Sequence, residues 1–276
     1  MDNNFNIPLE YLTDDEVAEL SKVVGRLEEV SKRDESQKDF MSFVKSVWPT
    51  FVEGNHHKIY ADKLQKVAEG KIKRLIVNMP PRHTKSEFAS YLFPSWLMGR
   101  KPDTKIIQAT HTAELAVGFG RKVKNLIDSD VYRDVFPDLA LASDAKASGR
   151  WSTSKGGEYY AVGVGGALAG RGADLCIIDD PVSEQDALSP TALDNIYEWY
   201  TSGPRQRLQP GGSIIIVMTR WSIRDLTAKV LAKQAEGGAD NWEVVEFPAI
   251  FPETDNVLWP EYWQKEELEA VRASIP

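Results

Sequence analysis

Lys85 and Ser86, within NMPPRHTKSEF (78–88), are the residues whose types and spacing most directly suggest chemistry. A lysine followed by a hydroxyl at a helix start ends the phosphate-binding pattern G-x-x-x-x-G-K-[ST]. There, backbone N–H groups and a helix N-terminus face phosphates, the lysine neutralises charge and the hydroxyl reaches magnesium. Aligned on that pair, Met79 and Thr84 occupy the two glycine positions, and Pro81, Arg82, His83 and Thr84 form the loop. An incidental Lys-Ser on an ordinary loop gives the same letters, so this motif alone leaves both readings open.

A carboxylate pair is the second signal. LCIIDDP (175–181) is an apolar run that stops on Asp179 and Asp180. Asp179 suits a magnesium ligand at a strand end, and Asp180 suits the acid that orients and deprotonates an attacking water. A solvated turn before Pro181 is the plainer alternative. Further on, IIIVMTRW (214–221) ends another apolar run on Thr219-Arg220. A cation, two acids and a threonine-arginine pair would meet at the sheet edge where ligands bind in parallel folds.

The elements that must position these residues follow from periodicity. KRLIVNM (73–79), TKIIQAT (104–110), LCIIDD (175–180), GGSIIIVMTRW (211–221) and WEVVEFPAI (242–250) read as buried strands, and YYAVGVGGALAGRGAD (159–174) as a strand entering a glycine-rich loop. Helices are expected over 13–33, with Thr13 as N-cap and Val17, Leu20, Val23, Val24 and Leu27 on one face, and over 55–71 and 189–208, the last capped at Ser189. A further helix starts at Lys85 and should be kinked or shortened by Pro94. Apolar strands alternating with helices imply a three-layer α/β fold with a mostly parallel sheet.

The chain has 276 residues and one cysteine, Cys176, which excludes an internal disulfide framework and a cysteine-rich zinc site. No apolar run is long enough for a membrane span, and the acidic start is no secretory signal, so the chain reads as cytosolic. The net charge of −8 is unevenly placed: residues 1–40 carry 11 acids and 5 bases, and residues 251–276 carry 6 and 2. The body between them is near neutral, which neither announces nor excludes a nucleic-acid partner.

Taken in order, RLIVNMPPRHTKSE, GVGGALAGRGADLCIIDDPV, EWYTSGPRQRLQPGGSIIIVMTRW and LWPEYW resemble the ATPase part of the tailed-phage large terminase subunit, the motor that packages DNA. The resemblance implies a P-loop NTPase fold of the ASCE (RecA-like) type with a small helical lid subdomain. It divides the chain into an N-terminal helical segment (1–50), an ATPase core (51–250) and a C-terminal lid or linker segment (251–276). It implies ATP and Mg²⁺ as cofactors. Lys85 and Ser86 would contact phosphates and metal, Asp179 would hold the metal, and Asp180 would be the catalytic carboxylate with Glu184 as fallback. Thr219 would sense the γ-phosphate, and His57 would lie near the adenine.

Arg171, with Arg82 as rival, would supply an arginine finger, in its own or a neighbouring subunit. The implied partners are double-stranded DNA, the portal protein, the small terminase subunit and further copies in a pentameric ring, with a monomer in isolation, in the cytoplasm of an infected host and transiently at the portal vertex. The chain stops where the family's nuclease domain would begin, so no DNA cleavage is expected of it. A superfamily 2-type helicase, or a non-catalytic DNA- or portal-docking module with a degenerate loop, are the alternatives.

Overall fold

A computed structural model describes residues 13–274. Helix α1 (Asp14–Lys38) starts at Thr13, whose hydroxyl accepts the Glu16 N–H while the Glu16 carboxylate takes the Thr13 N–H, a reciprocal cap that fixes the helix start. Helices α2 (Phe40–Val47) and α3 (Asn55–Ala68) follow. The expected stripe on α1 exists but faces solvent, with Val17 36% and Leu27 63% exposed. Periodicity specifies a face, not what covers it. Only the C-terminal part of α1 is tied to the body, where Arg33 and Gln37 donate to the carbonyls of Asp134 and Val135 and Trp96 donates to that of Ser36.

Seven strands form one sheet: β1 (Arg74–Asn78), β2 (Lys105–Thr110), β3 (Arg150–Ser152), β4 (Glu158–Gly163), β5 (Ala173–Asp179), β6 (Leu208–Met218) and β7 (Glu243–Glu246). Their order is β3-β4-β2-β5-β6-β1-β7, and every pair is parallel except β3 on β4. The central strands are apolar throughout because both faces are covered. Leu75 and Val77 of β1 point into a cluster with Phe40, Leu64, Phe88 and Trp96. Ile76 points the other way, towards helices α7 (Pro190–Ser202) and α8 (Leu226–Glu236) through Leu193, Trp199 and Val230. Between these stretches lie α4 (Phe93–Arg100), α5 (Ala113–Ile127) and α6 (Asp130–Val135), with α9 (Lys265–Ser274) last.

One sequence expectation is corrected, and two elements had no counterpart among the expectations. The strand at 242–250 is a four-residue edge strand, since Glu243 and Glu246 leave it little apolar surface to bury. The short antiparallel β3 and helix α6 had no clear periodic signal. The distortion expected at Pro94 takes the form of a π-helical turn over Glu87–Leu92, which runs on into α4 without ending the helix.

Candidate functional site

β1 ends at Asn78 and the chain turns through 79–84 into the helical segment that opens at Lys85. Two loop residues adopt positive φ without being glycine, Arg82 at 61° and Thr84 at 66°, and Asp180 at the end of β5 does so at 40°. These are three of the four such residues among the described ones. Backbone strain of this kind costs about 1–3 kcal/mol per residue and persists where surrounding contacts over-determine it.

β6 lies between β1 and β5, so Thr219 just past its end sits between loop and acids. Its N–H donates to Asp180 Oδ1 at 2.7 Å, and its hydroxyl donates to the Met79 carbonyl at 3.4 Å. Lys85 Nζ reaches Asp180 Oδ2 at 2.8 Å and is 7% exposed. Ser86 and Ser90 donate to the two oxygens of Asp179, at 2.9 and 2.7 Å, and Gln108 Nε2 donates to Ser90 Oγ at 3.0 Å. Asp179 is almost fully buried, and burial followed by its neighbour Asp180 pushes its carboxyl up to about 7, against the lowering effect of Ser90, Lys85 and Ser86. The site thus holds two acids against one lysine. It is short of positive charge.

The expected residues Lys85, Ser86, Asp179, Asp180 and Thr219 therefore converge. Pro81 and Arg82 are exposed on the loop; His83 is buried behind it, its Nδ1 2.8 Å from the Pro81 carbonyl. Ser90 and Gln108 were missed. The available signals were a second serine four residues after Ser86, on the same helical face, and a lone polar residue inside the apolar strand KIIQAT.

Two expected residues are not brought in. The Arg171 backbone precedes Ala173, at the opposite end of β5 from the acids, about 20 Å away by strand rise. Its guanidinium stacks 3.9 Å over the ring of Tyr160, and Asp174 accepts the Lys105 N–H instead of pairing with it. No hydrogen bond or ion pair ties Arg171 to the acids of its own chain among the described residues. Glu184 is exposed in the loop after β5 and has no ion pair among the described residues. His57 is near the loop but presents no edge to a base: it is fully buried, and both ring nitrogens are engaged, with the Gly54 N–H at 2.8 Å and Thr84 Oγ1 at 2.7 Å.

His56, not His57, lines an open cleft of about 520 Å³ together with Asn55, Phe247, Phe251, Leu258 and Glu261. Its ring lies tilted against that of His57, with centroids 3.8 Å apart, and Trp259 packs edge-on against both. Burial lowers both imidazoles, His56 to about 4 with help from His83, and His57 to about 3 with help from His56 and then His83. In the unfolded chain each protonates near its ordinary 6.5. Between those values the unfolded state binds more protons, so stability is complete above pH 6.5 and falls as pH drops towards 4. A thermal-unfolding series should show a midpoint that declines over that window, and less steeply in a His56→Phe variant. A flat midpoint would mean the rings are not buried neutral.

No family model matches the sequence, and no curated protein matches it. The large terminase of bacteriophage HK97 matches in structure over 86% of this chain and 51% of its own, at TM-score 0.52 and 12% identity. The fold is shared with the phage large terminases. The ATPase domain of a Thermus phage large terminase matches over 77% of this chain and 88% of its own (TM-score 0.45, 17% identity). The large terminase of a thermophilic bacteriophage, in complex with ATP-γ-S, matches over 78% and 49% (TM-score 0.45, 14% identity). The chain spans about half the length of the HK97 and ATP-γ-S-bound terminases. Among its described residues, no helix is long and apolar enough to cross a membrane.

Proposed function

We propose that this chain is the ATPase part of a phage large terminase, using ATP and Mg²⁺ to drive double-stranded DNA into a procapsid. One observation carries the reading: a strained loop, a buried lysine, two strand-end acids and a threonine meet at one sheet edge, joined by Lys85–Asp180, Ser86–Asp179 and Thr219–Asp180 contacts. The donor set fits magnesium, since it is all oxygen and holds a buried carboxylate whose own partners are hydroxyls. Ser86 and Asp179 would hold the metal. When bound, it neutralises charge on the β- and γ-phosphates.

Lys85 and the N–H groups of the loop bind the phosphates. Phosphate oxygens compete with Asp180 for Lys85, and release of that carboxylate lets Asp180 accept a proton from the attacking water. Thr219, bonded to Asp180 and the loop at once, registers the change. The cleft at His56 accepts the base. Arg171 supplies the finger to a neighbour's site, with Arg82, exposed on the loop and without an ion pair among the described residues, as its rival. Arg171→Ala should leave nucleotide affinity unchanged in the monomer, and a loss of affinity there would overturn that placement.

DNA, the portal protein, the small terminase subunit and a pentameric ring follow as partners from the terminase reading. The test is magnesium-dependent ATP hydrolysis with added double-stranded or single-stranded DNA. Stimulation by duplex supports the packaging reading, whereas stimulation by single strands alone supports a helicase-type enzyme.

A further inference from the structure

A glycine is expected at position 84 because the backbone there is left-handed, and a β-branched residue is strained in that region. What threonine adds is a hydroxyl, and the structure uses both of its hydrogen-bonding capacities. The Gly54 N–H donates to His57 Nδ1 at 2.8 Å, so that nitrogen carries the lone pair and the ring proton sits on Nε2. Nε2–H then donates to Thr84 Oγ1 at 2.7 Å, and Thr84 in turn donates to the His83 carbonyl at 2.6 Å. The direction of every bond in this chain is fixed.

The imidazole that anchors it has no freedom. It stacks on Phe88 at 5.2 Å and meets Phe51 and Trp259 edge-on at 4.7 and 4.8 Å. Gly54 allows this closeness, because a Cβ there would come within 2.8 Å of Trp259. The loop residue next to Lys85 is therefore tied by one short polar link to the aromatic core beneath it.

We propose that Thr84 and His57 form a pin that holds the phosphate loop in its binding shape, with His57 a positioning residue that never touches nucleotide. This rests on the nucleotide-site reading above. Glycine makes the left-handed turn accessible; the pin makes it the populated state, so that binding does not first have to order the loop.

The test measures affinity for fluorescent ADP and ATP-γ-S, thermal midpoint, and hydrogen exchange of residues 82–86 in the same variants. Thr84→Val keeps the branched shape and strands the His57 donor; its dissociation constant should rise about tenfold as the loop's binding shape becomes a minor state. Thr84→Ser restores the hydroxyl and should stay within about twofold of wild type. His57→Phe should match Thr84→Val, and the double variant should be no worse than either, as for two ends of one link. Loop amides should exchange faster in Thr84→Val and His57→Phe.

Wild-type affinity in Thr84→Val, or tighter binding in Thr84→Gly, would overturn the pin, as would a lowered midpoint with affinity and exchange unmoved. Should wild type bind no nucleotide, the functional reading falls, while faster exchange in Thr84→Val still supports the pin and unchanged exchange overturns it.

Discussion

Lys85→Ala should remove magnesium-dependent ATP hydrolysis, with a loss on the order of 10²–10³-fold in turnover, as when one preorganised charge-stabilising group is deleted. Nucleotide affinity should fall as well, by about 1.5–3 kcal/mol, the scale of a hydrogen bond to a charged group. The variant also uncouples a structural contact, because Lys85 is nearly buried and its ammonium is the partner of Asp180. Asp180 keeps some solvent access, which moderates the cost of leaving it unpaired. Lys85→Met keeps the aliphatic stem and separates the two effects. Both variants should be inactive, with Met nearer to wild type in thermal midpoint. An active, well-folded Lys85→Met would show that the loop does not bind phosphates.

Asp180→Asn should retain nucleotide and stop turnover, by about 10²–10⁴-fold, the range for removing a general base. Asparagine can still accept the Thr219 N–H with its Oδ1, while Lys85 loses a competitor for phosphate. Affinity should therefore hold or rise as turnover falls. Asp179→Asn behaves differently. The buried carboxylate is the less comfortable of the two acids, raised towards neutrality by burial and by Asp180. Replacing it should leave the thermal midpoint level or higher while magnesium dependence disappears, a trade between stability and function common at such sites. Normal hydrolysis by Asp180→Asn would move the base elsewhere. Exposed Glu184, with no hydrogen bond or ion pair among the described residues, is poorly placed to take over.

Much of the sheet was legible because its strands are buried on both faces: RLIVN, KIIQAT and the strand ending on Asp179 read as mainly apolar runs bounded by polar turns. The rim was legible for the same reason. Strands that stop on Asp-Asp and Thr-Arg, and a strand whose following loop leads to Lys-Ser at a helix start, place those residues at one edge once the sheet is parallel. What failed was any inference that needed the height of the sheet. AGRG and IIDD are close in sequence, yet β5 spans the whole sheet between them, so the Arg171 backbone lies at the far end and its guanidinium over Tyr160.

His57 failed for a different reason. Its place beside the phosphate strand is compatible with a base contact, and only the aromatic residues packed around it show that it points inward. The links from Asp179 to Ser90 and Gln108 depend on side-chain geometry across two elements, which no single-segment pattern encodes. The stripe on α1 is the converse case, a correct periodicity without a covering partner among the described residues.

The most direct test of the central claim is the rate of ATP hydrolysis by the wild-type protein as a function of its concentration, with magnesium and with the metal chelated. The expected result is turnover that requires magnesium and rises faster than in proportion to concentration, because a neighbour completes each site. Neither ATP binding nor hydrolysis at any concentration, with the protein folded, would contradict it: the loop at Lys85 would then not be a phosphate loop.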